Sequence, residues 1–342
     1  MIISFFKFLS AAHTINARAK SFFVTKCQFG NPVTNYYFCR IEHIISMEII
    51  QDQHFEGERP LYARHGLRIE RVTIGTGESS LKEGSDIEAV NCEFNGKYPF
   101  WEVKDFTVRN CIFREGARAA LWYSEGCKMY DTLVEAPKMF RRIKDVYLEN
   151  VQLPNALETF WDCKDVELRN VEVEKGDYLF MHAEDVKIDG FKLRGNYSFQ
   201  YAKDVVIRNA DLETKDAFWE AENVTVYDSR INGEYLGWYS KNLRLVNCKI
   251  GGTQPLCYCE NLLLENCVFE EDADLAFEYS DVEASIIGPV QSVKNPRSGR
   301  IMADSYGEII LDKNIKAPAD CEIGTWEEPD VDLASNPEIV EY

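Results

Sequence analysis

Arg142, Asp162 and His182 follow one another at intervals of twenty residues. If each interval makes one turn of a stacked structure, their side chains lie on one face, separated by about 4.8 Å per turn. A guanidinium, a carboxylate and an imidazole at such distances can transfer protons or bind an anion, so these three residues are catalytic candidates. The same spacing also fits a surface ladder in which opposite charges on adjacent turns pair. The sequence leaves both interpretations open.

The three candidates belong to a column of polar and amphipathic side chains that we expect to face solvent. Each member stands three residues before the next repeat unit, and the outer members are Glu102, Tyr239, Tyr258 and Glu278. Asp162 and Glu220 are three turns apart, about 14 Å, which is too far for the carboxylate pair of a glycosidase. Because aromatic rings supply contact area and charged groups fix orientation, we predict ligand contacts at six positions. These are Tyr123, Arg142, Asp162, His182, Tyr201 and Glu220.

Two mainly apolar columns come directly before this one, and only one of them can face the interior. Strict alternation would bury the column that holds five of the six Trp and would expose the column rich in Phe. The opposite arrangement would expose the Trp residues and require a bend before small residues such as Ser124 and Cys163. We favour burial of the Trp column, which consists of Trp101, Trp122, Arg141, Trp161, Met181, Gln200, Trp219, Trp238, Cys257 and Phe277.

These columns arise from a repeat of 19 to 21 residues that runs from Gly66 to about Gly288. A unit opens with Asp, Asn or Gly, continues with alternating apolar residues and turns at a second position that is usually Asn, as in Asp145–Leu153 and Asn242–Ile250. Alternation with a period of two is typical of a strand. A fixed period of this length indicates a solenoid.

The turn position within each unit holds Asn, Asp or Gly, which tolerate the left-handed backbone of a tight bend. Stacked Asn side chains can hydrogen-bond along the solenoid. We expect the residues that follow, among them Cys92, Cys111, Cys248 and Cys267, to point inward. Three short strands per turn with Asn at one bend predict an all-β fold, a single-stranded parallel β-helix of roughly ten to eleven turns. A leucine-rich repeat, the alternative at this period, would need an L-x-x-L-x-L core, and none is visible.

The third segment of each unit resembles a bacterial family of β-helix proteins, the domain of unknown function 3737. The resemblance covers roughly Met47 to Thr325 and rests on phrases such as KYPFW, AALWYS, KDAFW, GEYLGWYS and GTQPLCYCENL. It implies a right-handed, pectin-lyase-like parallel β-helix, and it implies no activity. Members of the family begin near a Met-Glu-Ile-Ile segment, which here starts at Met47.

The family pattern divides the chain into three parts. Residues 47–325 are predicted to form the β-helix domain with its end caps. Residues 1–46 are predicted to be a non-native or disordered N-terminal extension. Their apolar start, broken by Lys7, also fits a poor signal sequence. Residues 326–342 are acidic and predict a disordered tail.

The composition argues against several classes of function. The formal charge is −19 and the sequence shows no basic patch, which argues against nucleic-acid binding. No stretch is long and apolar enough to cross a membrane. The eleven Cys are interpreted as reduced thiols of a cytoplasmic protein, because several occupy interior repeat positions. Cys257 and Cys259 place two thiols on one side of a strand, but no second Cys pair or His has ligand spacing, so we predict neither metal nor cofactor.

Two classes of function remain. Uniform turns with short loops predict a smooth surface, which favours a non-catalytic binding or scaffold protein that recognises an oligosaccharide or a protein on its aromatic face. The alternative is a carbohydrate-active enzyme, a polysaccharide lyase or glycoside hydrolase, that uses Arg142, Asp162 and His182. The sequence does not predict an oligomeric state.

Overall fold

The computed structural model describes residues 47–315 and 320–326, together with the backbone of residues 339–340. Within these residues the chain forms a parallel β-solenoid of about 14 turns, which confirms the predicted parallel β-helix. The described residues from Ile49 onward belong to one compact unit. The predicted extension, residues 1–46, lies outside the described residues.

Short strands joined by bends make up nearly all of the described chain, and its 3-10 helix spans Glu115–Ala117. The strands are β1 Glu48–Gln51, β2 His54–Glu58, β3 His65–Glu70, β4 Thr73–Glu78, β5 Ser85–Val90, β6 Glu93–Phe94, β7 Lys104–Arg109, β8 Ile112–Phe113, β9 Leu121–Trp122, β10 Glu125–Val134, β11 Phe140–Arg141, β12 Lys144–Leu153, β13 Lys164–Val173, β14 Glu184–Arg194, β15 Lys203–Glu213, β16 Glu222–Tyr227, β17 Arg230–Asn232, β18 Lys241–Val246, β19 Lys249–Gly251, β20 Leu262–Phe269, β21 Asp281–Ile286, β22 Pro289–Lys294, β23 Ser298–Ala303, β24 Ser305–Ile310, β25 Asp320–Thr325 and β26 Ile339–Val340.

The first side of the solenoid consists of strands that open each repeat unit, and the second side follows after the Asn bend. In the middle turns one long strand covers both sides, as in β12, β13, β14 and β15. The parallel register places Val146 beside Val166 and Val151 beside Val171. Strands β22, β24 and β26 form a separate parallel sheet.

The solenoid has more turns than the ten to eleven that the repeat predicts. At one end β1 pairs with β3 and β2 pairs with β4. At the other end β21, β23 and β25 pair in succession. The turns of β1, β23 and β25 lie outside the run of repeat units from Gly66 to about Gly288, so the repeat does not count them.

The Asn bend carries the predicted ladder. Its residues have positive φ, for example 55° at Asn150 and 50° at Asn170. The Asn170 amide donates to Asn150 at 2.7 Å, and the Asn150 amide donates to Asp131 at 3.0 Å. Where Gly190 replaces Asn, the amide of Asn209 donates to Asp189 instead. The bend therefore fixes the register between turns.

The interior is a continuous apolar column built from the inward positions of all three sides. Cys92, Cys111, Cys248 and Cys267 are all buried, as predicted from their place after the bend. The nine cysteines among the described residues are free thiols. Burial raises the pKa of the Cys267 thiol to about 12.

Two residues of the predicted disordered tail form a strand. Ile339 and Val340 pair in parallel with Ile309 and Ile310. Residues 327–338 and 341–342 lie outside the described residues.

Candidate functional site on the third side

The third side leads from the second side back to the first and consists mainly of tight turns. Its β9 and β11 pair in parallel as a short two-stranded sheet. In ten consecutive turns, the residue at the position predicted to face solvent, or in the last turn the residue after it, has a left-handed backbone with φ between 51° and 61°. We call these ten residues the bend column. They are Glu102, Tyr123, Arg142, Asp162, His182, Tyr201, Glu220, Tyr239, Tyr258 and Tyr279.

The last member of the bend column is Tyr279, whereas the sequence predicted Glu278. The rings of Tyr258 and Tyr279 are neighbours, with centroids 5.1 Å apart. Leu262 and Val282 are in register on the first side. Because the chain between bend and strand is one residue shorter in this turn, counting back from the strand selects the wrong residue.

The left-handed residues decide which apolar column faces inward. Phe160 and Phe180 are fully buried and stack face to face, with ring centroids 4.6 Å apart. The five Trp of the neighbouring column are each partly exposed. The prediction that the Trp column is buried is therefore wrong for its five Trp, whereas its members Gln200, Cys257 and Phe277 are buried. A left-handed residue interrupts the period of two, so that the small residue after it, such as Ser124 or Cys163, is buried beside the Phe column.

Main-chain hydrogen bonds hold the bend column in a continuous row. The Arg142 N–H donates to the carbonyl of Trp161, and the Asp162 N–H donates to the carbonyl of Met181, both at 2.9 Å. The same bond to the next turn is made by Tyr123, His182, Tyr201 and Glu220. The structure thus brings the six predicted ligand-contact residues together on consecutive turns.

The three catalytic candidates do not form one cluster. Arg142 pairs with Asp162, whereas His182 stacks on a different residue, Tyr201. Arg142 Nε lies 3.6 Å from Asp162 Oδ2, and the two side chains are 60% and 44% exposed. The His182 ring stacks on Tyr201, with centroids 4.9 Å apart. In the part of the chain that the structure describes, no hydrogen bond or ion pair joins His182 to Asp162. An exposed ion pair contributes at most about 1 kcal/mol, so this arrangement suits surface contacts better than proton transfer between these groups.

Arg141 shows how a charged residue fits into the Trp column. Its guanidinium lies 4.5 Å from the ring centroid of Trp122 and 4.3 Å from that of Trp161. It also lies 3.6 Å from a carboxylate oxygen of Glu158. Cation–π attraction to two indoles stabilises a guanidinium that is largely removed from water.

The first side carries a groove that the sequence analysis did not predict. Its volume is about 730 Å³, and it crosses the outward faces of β10 and β12 to β16. Asp165, Tyr147 and Lys187 contribute charged and aromatic groups to it. The Tyr147 hydroxyl donates to Glu149 at 2.7 Å, and this bond raises the pKa of Tyr147 to about 12. Comparison of outward strand positions from turn to turn would have indicated this groove.

Neither a metal centre nor a membrane span is found within the described ranges. Residues 47–315 and 320–326 contain no group of three or more His, Cys, Asp or Glu side chains that could hold a metal ion. The same residues contain no helix that is long and apolar enough to cross a membrane.

The family profile described as "Protein of unknown function (DUF3737)" matches residues 48–324, which is most of the chain. This protein belongs to the DUF3737 family. The match agrees with the resemblance carried by the third-side segments. A comparison of the DUF3737 chain with curated protein sequences finds no match.

Several solved structures are similar to the DUF3737 solenoid. PfbA, a surface adhesin of Streptococcus pneumoniae, is 8% identical over 85% of this chain and 87% of that chain, with a TM-score of 0.34. The A-module of the mannuronan C-5 epimerase AlgE6 of Azotobacter vinelandii is 10% identical over 89% and 93%, with a TM-score of 0.32. A tailspike protein mutant of E. coli bacteriophage HK620, in complex with a pentasaccharide, is 8% identical over 90% and 76%, with a TM-score of 0.31. At these values the similarities carry no argument about function.

Proposed function

We propose that this DUF3737 protein is a non-catalytic binding protein whose bend column recognises a neutral oligosaccharide. The observation that carries the proposal is the choice of residues in the bend column. At the Asn bend and at the start of each repeat unit, Asn, Asp or Gly takes the left-handed position in the regular turns. The bend column contains mostly Tyr, His, Arg and Glu at the same kind of position.

These residue types are unfavourable at a left-handed position. The conformation costs roughly 1 kcal/mol or more at residues other than Gly, Asn and Asp. Contacts between neighbouring turns offset part of this cost, such as the Arg142 guanidinium 5.7 Å from the ring centroid of Tyr123. Glu220 is exposed, and within the described residues its side chain has no hydrogen bond or ion pair. Stability alone does not explain Glu at this position, which supports a role in binding.

The bend column offers a row of hydrogen-bonding groups that matches a chain of hydroxyls. The faces of the His182 and Tyr201 rings are engaged with each other, so their polar edges remain for a ligand. Tyr123 is 44% exposed. Successive turns are about 4.8 Å apart, a distance comparable with the length of one pyranose residue in an extended chain. The formal charge of −19 disfavours polyanionic glycans, so the proposal names neutral ones.

The geometry of the bend column gives less support to catalysis. Asp162 and Glu220 remain three turns apart, about 14 Å, beyond the separation that glycosidase carboxylates need. Asp162 pairs with Arg142, and His182 pairs with Tyr201. The groove described above lies on the first side and not at the bend column. Recognition without bond cleavage is therefore the function that the site supports best.

A glycan array followed by calorimetric titration tests the proposal. The protein should bind neutral hexose oligosaccharides better than oligosaccharides of uronic acids. The double variant Asp162→Gly/His182→Gly should lose this binding. Gly is suitable because it accepts positive φ, 53° at Asp162 and 55° at His182, so the melting temperature should stay within a few degrees.

A matched control removes one acid and one base away from the bend column. Glu174 and Lys187 are exposed, and Lys187 lines the first-side groove. Glu174→Ala/Lys187→Ala should bind as the unmodified protein does. If this control loses binding and the Gly double variant retains it, the ligand lies in the first-side groove and the proposal is wrong.

A further inference from the structure

Two Trp residues of the third side have buried indole N–H groups without acceptors. Trp122 donates its indole N–H to the Lys138 carbonyl in the next turn at 2.7 Å, and Trp161 donates in the same way to Tyr178. The indole nitrogens of Trp219 and Trp238 are buried and have no partner among the described residues. Their rings stack on each other, with centroids 5.4 Å apart. Buried polar groups are rarely left unpaired, so these two donors require an explanation.

Asp216 is a buried acidic residue three positions before Trp219 in the sequence. In two other turns a Tyr stands three residues before the Trp and contacts its ring. The ring centroids are 5.1 Å apart for Tyr98 and Trp101 and 4.9 Å apart for Tyr235 and Trp238. Asp216 stands in the same sequence relation to Trp219, with a shorter side chain in place of the Tyr. It is only 5% exposed, and its side chain has no hydrogen bond within the described part of the chain. Burial raises the pKa of Asp216 above its ordinary value.

The geometry points to a subsite in which Asp216, Trp219 and Trp238 bind adjacent hydroxyl groups of one sugar residue. A hydroxyl accepts a hydrogen bond from an indole N–H and donates one to a carboxylate, which satisfies both kinds of group. The subsite adjoins the bend column, because Trp219 and Trp238 directly precede its members Glu220 and Tyr239. This inference rests on the proposed oligosaccharide binding and places one sugar residue at these three side chains.

Nitrogen-15 NMR of the indole groups tests the subsite directly. The full chain is titrated with cellotetraose and with maltotetraose, and each signal is assigned from its Trp→Phe variant. The Trp219 and Trp238 N–H signals should shift with added tetrasaccharide. The Trp122 signal should not, because its N–H is bonded to a main-chain carbonyl.

Single-residue variants test whether the subsite side chains contribute to tetrasaccharide binding. Trp219→Phe removes the N–H and keeps a ring, and Asp216→Asn removes the charge. Each should weaken tetrasaccharide binding about tenfold, as measured by calorimetry. The control Trp122→Phe should leave binding unchanged while lowering the melting temperature.

Three outcomes are distinguishable. Shifts at Trp219 and Trp238 together with weaker binding by the variants support the subsite. Binding that leaves both indole signals in place overturns the subsite and leaves the bend-column proposal standing. If neither tetrasaccharide binds at millimolar concentration, the subsite and the proposed neutral hexose ligand are both overturned.

Discussion

Replacement of Glu220 by Asn should stabilise the protein and weaken ligand binding at the same time. Glu220 has φ of 51°, and its exposed side chain forms no hydrogen bond or ion pair in the described part of the chain. Asn tolerates this backbone, so the substitution should recover roughly 1 kcal/mol of left-handed strain. For a domain of this size, 1 kcal/mol corresponds to about 2 °C in melting temperature. The hydrogen bond from the Glu220 N–H to the Trp238 carbonyl, 2.9 Å long, is kept.

Differential scanning calorimetry and ligand titration of the same samples give both readouts. The matched control is Glu174→Asn, because Glu174 is also exposed but does not have positive φ. It should not stabilise the protein and should not change binding. A melting temperature that falls in Glu220→Asn, or that rises equally in the control, would refute the strain argument. Unchanged binding in a stabilised Glu220→Asn variant would show that Glu220 is not a ligand contact.

Three further predictions follow from the interior and from Asp216. In the native protein, a thiol reagent should label Cys163 and Cys267 slowly from pH 7 to 9, because burial raises the pKa of both thiols to about 12. Rapid labelling would show that these thiols are not in the interior. Phe180→Ala should lower the free energy of unfolding, measured by denaturant titration, by about 3–5 kcal/mol, since the ring is fully buried between Phe160 and Phe199. A decrease below about 1 kcal/mol would contradict the stacked core. Because the folded protein raises the pKa of Asp216, the native state binds the proton more tightly than the unfolded state, and stability is lost as pH rises through that pKa. The melting temperature of Asp216→Asn should therefore exceed that of the unmodified protein at pH 7 and approach it near pH 3.5, and equal differences at both values would contradict the buried carboxylate.

The fold could be predicted because two of the three sides follow simple rules. Apolar residues such as Val146 and Leu148 alternate with polar ones, and Asn150 and Asn170 mark the bend by residue type. Side-chain period and bend chemistry are local properties, so they can be read from one repeat and checked against the next. The end turns around β1 and β25 lie outside the run of repeat units from Gly66 to about Gly288, and for this reason the number of turns was underestimated.

The third side could be predicted only in part. The members of the bend column were identified by position, but their left-handed backbone was not, because Tyr201 and Glu220 are not residues that usually mark such a bend. Without that bend, the period of two assigned the Trp column to the interior and the Phe column to the surface. The correct assignment needs the tertiary stacking of Phe160 on Phe180, which links residues of different turns. The groove on the first side was missed for a related reason, because it is formed by side chains from six turns.

Binding by the bend column is tested most directly by one comparison on a glycan array. The unmodified chain, Asp162→Gly/His182→Gly and Glu174→Ala/Lys187→Ala are applied at equal concentration to neutral and uronic-acid oligosaccharides. The account predicts signals on neutral hexose oligosaccharides for the unmodified chain and for the second variant, and none for the first variant. Equal signals from all three proteins, or signals confined to uronic-acid oligosaccharides, would contradict it.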